Sequence, residues 1–540
     1  MTQLFYNAKI FTSDLENLYA DALLVRDGKV LWTGALEDRP DIQPDEATDL
    51  QGHTVIPGFI DAHMHPVMLA DYARQIACLP PAVCSIEDLK REIRAVHDAL
   101  LKDLQEHPEQ PLPWILGWGY DEGKYAERRS PNRYDLDEAS PDLPVFLVRS
   151  CEHIRCVNSK ALEIAGVTRE TPDPQGGELG RGPDGEPDGI LRESARDLVI
   201  PFLPERPDEA RIEALVDLGD LLVSQGITGI AGMGNLHAGG NYGLIRAAQE
   251  RGFRPRVSLY YMWEYFEDDD QFDLTPELLD RRKRLRIAGI KLIGDGSISG
   301  KTAWMHEPYL GTNETGIPVY PDDLMESAIR FAKRTGCQIA VHAMGGRAID
   351  RVIDRVAEQD DWTDGSVPYV RVEHVTEPRP EALRKAAEHG IAMASQPIFE
   401  YCEIETYRAN MDAERLKHLY PHRTILDSGV KLCLSTDAPA TSWAVPSDPF
   451  PNLKSAVTRV AYDGTDIGQA ERLDIETAVI LYTKESAEIS GMAGSGMLKA
   501  GYDADFAVLS DDLFTIDPMR IDEVQVLETR IGGECVYRKG

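Results

Sequence analysis

Cysteine is scarce and scattered. The eight thiols among 540 residues, Cys78, Cys84, Cys151, Cys156, Cys337, Cys402, Cys433 and Cys535, form no CxxC pair. That argues against a disulfide framework and fits reduced thiols in a cytoplasm. No run approaches the roughly 18 unbroken apolar residues of a membrane helix, and Met1 to Gly34 lacks the basic, apolar and small-residue regions of a secretory leader. Basic residues are also few: 57 Lys and Arg against 91 Asp and Glu leave a formal charge of −34. Such a surface repels anionic polymers and anionic bilayers, so neither nucleic acid nor membrane is an expected partner. Short repeats and low-complexity blocks are missing as well.

What is present suits a large folded protein: 42% hydrophobic residues, 44 Gly and 34 Pro. The N-terminal stretch reads as short strands, Leu4 to Thr12, Ala22 to Arg26 and Val30 to Gly34, with an Asp27-Gly28 turn. A matching pattern closes the chain in Phe506 to Ser510 and in Val524 to Tyr537 around Gly532-Gly533. The two ends thus predict one small β-sandwich, with 1–53 contributing its first half and 486–540, which adds a terminal helix, its second.

Residues 54–485 alternate apolar strands with helical stretches such as Asp208 to Ser224 and Asp322 to Arg334. Candidate strands are Thr54 to Ala62, Ile227 to Met233, Arg256 to Met262, Ala288 to Ile293, Gln338 to Val341, Tyr369 to Glu373, Ile391 to Ala394 and Lys431 to Ser435. Eight strands in this rhythm predict an α/β fold, a (β/α)8 TIM barrel. The gap after the first is too long for one crossover, so an inserted subdomain is expected over about 70–215, with Val145 to Arg149 as one of its strands.

The chemistry collects at strand ends, where barrel active sites lie. In His63-Met64-His65 the i and i+2 imidazoles of an extended chain point the same way and can converge on one ion. His342, His374 and Asp437 follow the fifth, sixth and eighth strands. Four histidines and an aspartate at strand exits point to a metal site rather than packing. Lys291 lies inside an apolar strand, where an unpaired ammonium is costly. Either it pairs with an acid such as Asp295 or Asp437, or its amine takes up carbon dioxide as a carbamate that bridges two metals. The glycine-rich stretch Gly294 to Tyr320, with Trp304 and Tyr309, reads as a mobile lid or as an ordered loop on the rim.

Val55-Ile56-Pro57-Gly58-Phe59-Ile60-Asp61-Ala62-His63-Met64-His65 resembles the first-strand signature of the amidohydrolase superfamily. Gly289-Ile290-Lys291 with Asp295-Gly296, Val341-His342-Ala343-Met344-Gly345, Arg371-Val372-Glu373-His374, Ser435-Thr436-Asp437-Ala438-Pro439 and Phe506-Ala507-Val508-Leu509 follow in the expected order. With Asn158-Ser159-Lys160-Ala161-Leu162 and Pro187-Asp188-Gly189, the chain resembles the family 3 or YtcJ-like branch nearly throughout.

The resemblance implies two divalent ions, most often zinc. His63, His65 and Asp437 would hold one, His342 and His374 the other, with carboxylated Lys291 between them. A hydroxide shared by the ions would attack an amide carbonyl, and Asp437 would carry the proton to the departing nitrogen. His153, in a segment that departs from the branch by carrying Cys151-Glu152, would stabilise the tetrahedral anion or have no role. Trp118, Trp304 and Phe399 are expected substrate contacts, and Trp114, Tyr120 and Tyr401 are either pocket lining or ordinary core. Arg149, Arg155 and Lys301 are the candidates for holding a substrate carboxylate, although a neutral amide needs none.

The branch includes hydrolases of N-substituted formamides, so a small-molecule amide of that kind or an N-acyl amine is the expected substrate. The alternatives are a non-hydrolytic isomerase or decarboxylase and a catalytically silent interaction protein. Retention of Lys291 and Asp437 favours hydrolysis over the first, and the absence of a lost ligand argues against the second. A homodimer is the frequency-based expectation for assembly.

Overall fold

The computed structural model describes all residues except 151–153, 175–176, 205, 236–239, 267–271, 320 and 364. The chain forms two compact units, Met1–Pro66 with Leu215–Thr441 and Ser447–Gly540, and Val67–Ala214 with Ser442–Pro446.

The first unit is built on eight parallel strands in sequential order: β1 (Phe59–Met64), β2 (Ile227–Asn235), β3 (Arg256–Met262), β4 (Leu285–Ile293), β5 (Gln338–Ala343), β6 (Val370–His374), β7 (Ala392–Ser395) and β8 (Leu432–Leu434). They are near-continuous apolar runs because both faces are covered. Backbone hydrogen bonds from Asp437 N to His63 O and from His65 N to Ala438 O, both 2.8 Å, join the first and last strand exits. The chain is a TIM-barrel protein of the α/β class. Crossover helices bury one face each: Ile349, Val352, Ile353 and Val356 of Gly346–Ala357, and Met325, Ala328, Ile329 and Ala332 of Asp322–Thr335. The latter ends on Gly336 at φ 75°, a left-handed cap that glycine takes without strain.

The apolar run read as one strand from Thr54 to Ala62 divides at Gly58. Thr54–Pro57 pairs antiparallel with Phe506–Leu509 in a separate sheet, whereas Phe59–Met64 pairs with β2. Gly58 N donates to Asp505 O, and a Cβ there would lie 2.3 Å from the Thr228 side chain, so only glycine lets the strand change sheets. Both halves are fully buried, which is why their pattern shows no break. The separate sheet has eight strands from both ends of the chain around a core of Phe5, Ile10, Leu23, Val25, Val55, Phe506 and Val508. Its hairpins turn at Asp27-Gly28 (φ 52° and 78°) and Gly532-Gly533 (φ 59° and 76°), residues suited to two-residue turns.

The second unit holds a six-stranded sheet in the order Gly177–Arg181, Pro187–Glu193, Ile154–Val157, Val145–Arg149, Ile115–Tyr120, Ile76–Ala77. The motif residue Asn158 is structural here. Fully buried, it accepts from Val145 N and Ala161 N, both 3.0 Å, and donates to Ser140 O and Leu143 O, both 2.9 Å. Asn158→Ala removes a helix cap worth ~1 kcal/mol and leaves buried groups unpaired at ~1–3 kcal/mol. It is therefore expected to lower the urea midpoint of this unit, followed by proteolysis, without altering the metal content of the protein. Among the described residues no helix is long and apolar enough to cross a membrane.

Candidate metal centre

The ends of β1, β4, β5, β6 and β8 bring His63, His65, Lys291, His342, His374 and Asp437 to one end of the barrel. Asp437 Oδ1 lies 3.2 Å from His63 Nε2 and 3.0 Å from His65 Nε2. Among the described residues, ligand atoms of His63, His374 and Asp437 all lie within 4.8 Å of one another. The His374 ring centroid is 4.3 Å from that of His342 and 5.0 Å from that of His63. His374 at φ 78° and Asp437 at φ 61° occupy left-handed backbone that non-glycine residues rarely adopt, strain of the kind found at functional sites.

The partners of each imidazole decide which nitrogen faces the cluster. His63 Nδ1 is 2.6 Å from Glu373 Oε2 and His65 Nδ1 is 3.0 Å from Met233 O, so Nε2 is the nitrogen that both rings turn towards the cluster. His374 Nδ1 is 2.8 Å from Gln396 Oε1, so it too presents Nε2. His342 is reversed: its Nε2 lies 3.0 Å from Gly296 O, so Nδ1 faces the cluster. Burial and the Lys291 charge bring His342 down to about 4, and burial with neighbouring His342 puts His374 well below the ordinary imidazole value. Both are neutral at pH 7, the form that binds metal. Burial opposes ionisation of Asp437, yet His63 and His65 hold it well below the usual carboxylate range.

Lys291 lies in β4, which ends at the same end of the barrel. Its side chain is buried and, among the described residues, Nζ meets no hydrogen-bond partner. Neither acid suggested by the sequence satisfies it. Asp295 is occupied by the amides of Trp304 (2.7 Å), Met344 (2.9 Å) and Gly345 (2.8 Å), and Asp437 by the two imidazoles. Burial lowers the lysine to about 8, countered in part by the charges of Glu373 and Asp437. Four imidazoles and a carboxylate gathered at this end of the barrel are a donor set that suits a divalent metal ion with nitrogen and oxygen ligands.

A family model described as the amidohydrolase family matches residues 46–537. The chain belongs to the amidohydrolase family. It is 30% identical to YtcJ of Bacillus subtilis (strain 168), an amidohydrolase by name, with 100% of each chain covered. It is 28% identical to the N-substituted formamide deformylase of Arthrobacter pascens, over 99% of this chain and 98% of that one. An uncharacterized metal-dependent hydrolase from Pyrococcus furiosus, a solved structure, is 26% identical with a TM-score of 0.70, covering 95% of this chain and 100% of that one.

The other residues singled out in this amidohydrolase fall in different places. His153 lies outside the described residues. Phe399 is buried with its ring stacked on His374 at 5.8 Å and 19°, a flat apolar wall beside the cluster. Trp304 sits on the stretch after β4, whose described residues bond one another: Met305 N, Ile317 N and Val319 N donate to Thr315 O, Thr302 O and Gly294 O. Asn410 Nδ2 and Arg415 Nη1 bond the loop at Ile298 O and Pro308 O. Trp118 belongs to the second unit, stacked on Tyr72 at 5.2 Å. Arg149 is taken by Glu122 at 2.8 Å.

The groups that sequence reasoning missed stand behind the cluster. Glu373, Arg371 and Gln396 are buried, and Arg371 grips Glu373 through two bonds while donating to Ala62 O at 2.7 Å. Asp61 accepts from His63 N (3.1 Å), Thr436 Oγ1 (2.7 Å) and Tyr482 OH (3.0 Å), fastening the ends of β1 and β8 together.

Proposed function

We propose that this metal-dependent hydrolase of the amidohydrolase family cleaves the C–N bond of a small neutral amide, with N-substituted formamides as the lead class. The observation that carries the reading is Asp437 Oδ1 within 3.2 Å of two imidazole Nε2 atoms, in a barrel mouth that also holds the unpaired Lys291 amine. His63, His65 and Asp437 would hold one divalent ion, His342 and His374 a second, both zinc, with the Lys291 carbamate between them. When bound, such ions bring the pKa of water towards neutrality and polarise a carbonyl.

The chain's own residues supply the rest. The neutral form of the Lys291 amine adds to carbon dioxide: the nitrogen lone pair forms the N–C bond, one C–O π pair moves onto oxygen and the N–H proton leaves to solvent, so a buried amine becomes an anionic carbamate. Asp437, buried yet ionised, accepts a proton from the attacking water and returns it to the departing nitrogen, so an amine and a carboxylate result. Phe399 gives the amide substituent an apolar surface. The formamide deformylase relative, matched over nearly its whole length, supports this substrate class.

The test is amine release from a panel of N-substituted formamides, N-acyl amines, cyclic amides and esters. Release from formamides that stops after chelation and returns with zinc is expected. Turnover by fully chelated protein, or ester cleavage with no amide cleavage, would overturn the reading.

A further inference from the structure

Two imidazoles of the cluster, those of His63 and His374, are oriented by partners of different kind. His63 Nδ1 meets the Glu373 carboxylate at 2.6 Å, and both residues are buried. Arg371 forks onto the same carboxylate, Nε to Oε1 and Nη2 to Oε2 (3.0 Å for the second), so a guanidinium is paired with Glu373 behind His63. Arg371 locks the carboxylate in place through Ala62 O (2.7 Å) and Ser490 Oγ (3.3 Å). His374 Nδ1 instead meets the neutral Gln396 amide at 2.8 Å. The amide's orientation is fixed: Gln396 Nε2 donates to Ser435 Oγ at 2.8 Å, and Ser435 Oγ in turn reaches Ser395 O at 3.4 Å.

An anionic acceptor on Nδ1–H pushes electron density to Nε2 and makes it the stronger ligand, whereas an amide acceptor does so much less. We infer that Glu373 and Gln396 are positioning residues that make the two ion positions unequal, the one served by His63 tight and the one served by His374 labile. The inference rests on the two-ion reading above. It adds that the protein passes through a one-ion form as metal is withdrawn, and that exchange of the partners exchanges the affinities.

The experiment is a graded chelator dialysis of the zinc-loaded full-length protein, with metal per chain measured at each point for the parent, Glu373→Gln and Gln396→Glu. The parent is expected to lose its ions in two separated steps. Glu373→Gln should move the tight step to about 10–100-fold lower chelator, and Gln396→Glu should move the labile step to higher chelator. A role confined to packing would lower the melting temperature of the metal-free variants and leave these steps in place. Variants that follow the parent curve overturn the inference. Should Glu373→Gln fail to fold, Gln396→Glu decides alone, since it leaves the Arg371–Glu373 pair intact and predicts a gain of affinity. Two ions leaving in one step overturn the inequality while the two-ion reading stands; one ion per chain in the active parent overturns both.

Discussion

Asp437→Asn is expected to lower kcat by about 10²–10⁴-fold, the usual worth of a positioned general acid-base group. The substitution keeps the shape of the side chain, and Asn tolerates the left-handed backbone at φ 61° as well as Asp does. The backbone bond from residue 437 to His63 O needs no side chain, so the barrel closure persists. What is lost is the negative charge facing His63 and His65 and the ability to accept a proton. Steady-state amine release and a thermal melt on the same preparation check this. A folded variant with parental kcat would remove Asp437 from the chemistry.

Arg371→Met carries the largest expected effect on stability. Arg371 and Glu373 are both fully buried, and removing the guanidinium strands a carboxylate inside the barrel. Breaking such a pair costs about 3–5 kcal/mol, far more than the intact pair contributes over an apolar replacement. The double variant Arg371→Met/Glu373→Leu leaves no uncompensated charge and is expected to regain most of the loss, while still losing metal because His63 has lost its partner. Urea unfolding of the metal-free proteins measures both steps. An Arg371→Met unfolding free energy within about 0.5 kcal/mol of the parent, the range of ordinary surface changes, would contradict this reading of the pair.

The barrel was legible in the sequence because its strands are buried on both faces and stand out as apolar runs, and the ligand-type residues follow those runs directly. The boundary at Gly58 was not, since Thr54–Pro57 and Phe59–Met64 are equally apolar although they belong to different sheets. In the second unit, Ile115–Tyr120 is interrupted by two glycines and Gly177–Arg181 is polar, so neither reads as a strand. The groups behind the ligands were hidden for another reason. Glu373 reads as the neighbour of His374, yet its partner is His63, 310 positions earlier, and no local pattern encodes that pairing. Arg371 and Glu373 share one strand face at i and i+2, a charged pair inside an apolar strand. That anomaly is the one available signal, and it marks a buried pair without saying which imidazole the pair serves. Gln396 has no signal of its own until the sixth and seventh strands are placed side by side.

Elemental analysis of protein purified without chelator, run on the parent and on Lys291→Met alongside amine release, tests the central claim most directly. About two divalent ions per chain in the parent, an intact-mass increase matching a carbamate under carbon dioxide, and loss of both metal and amine release in Lys291→Met are the expected results. A metal-free parent that still hydrolyses amides, or a Lys291→Met variant with parental metal content and turnover, would contradict it.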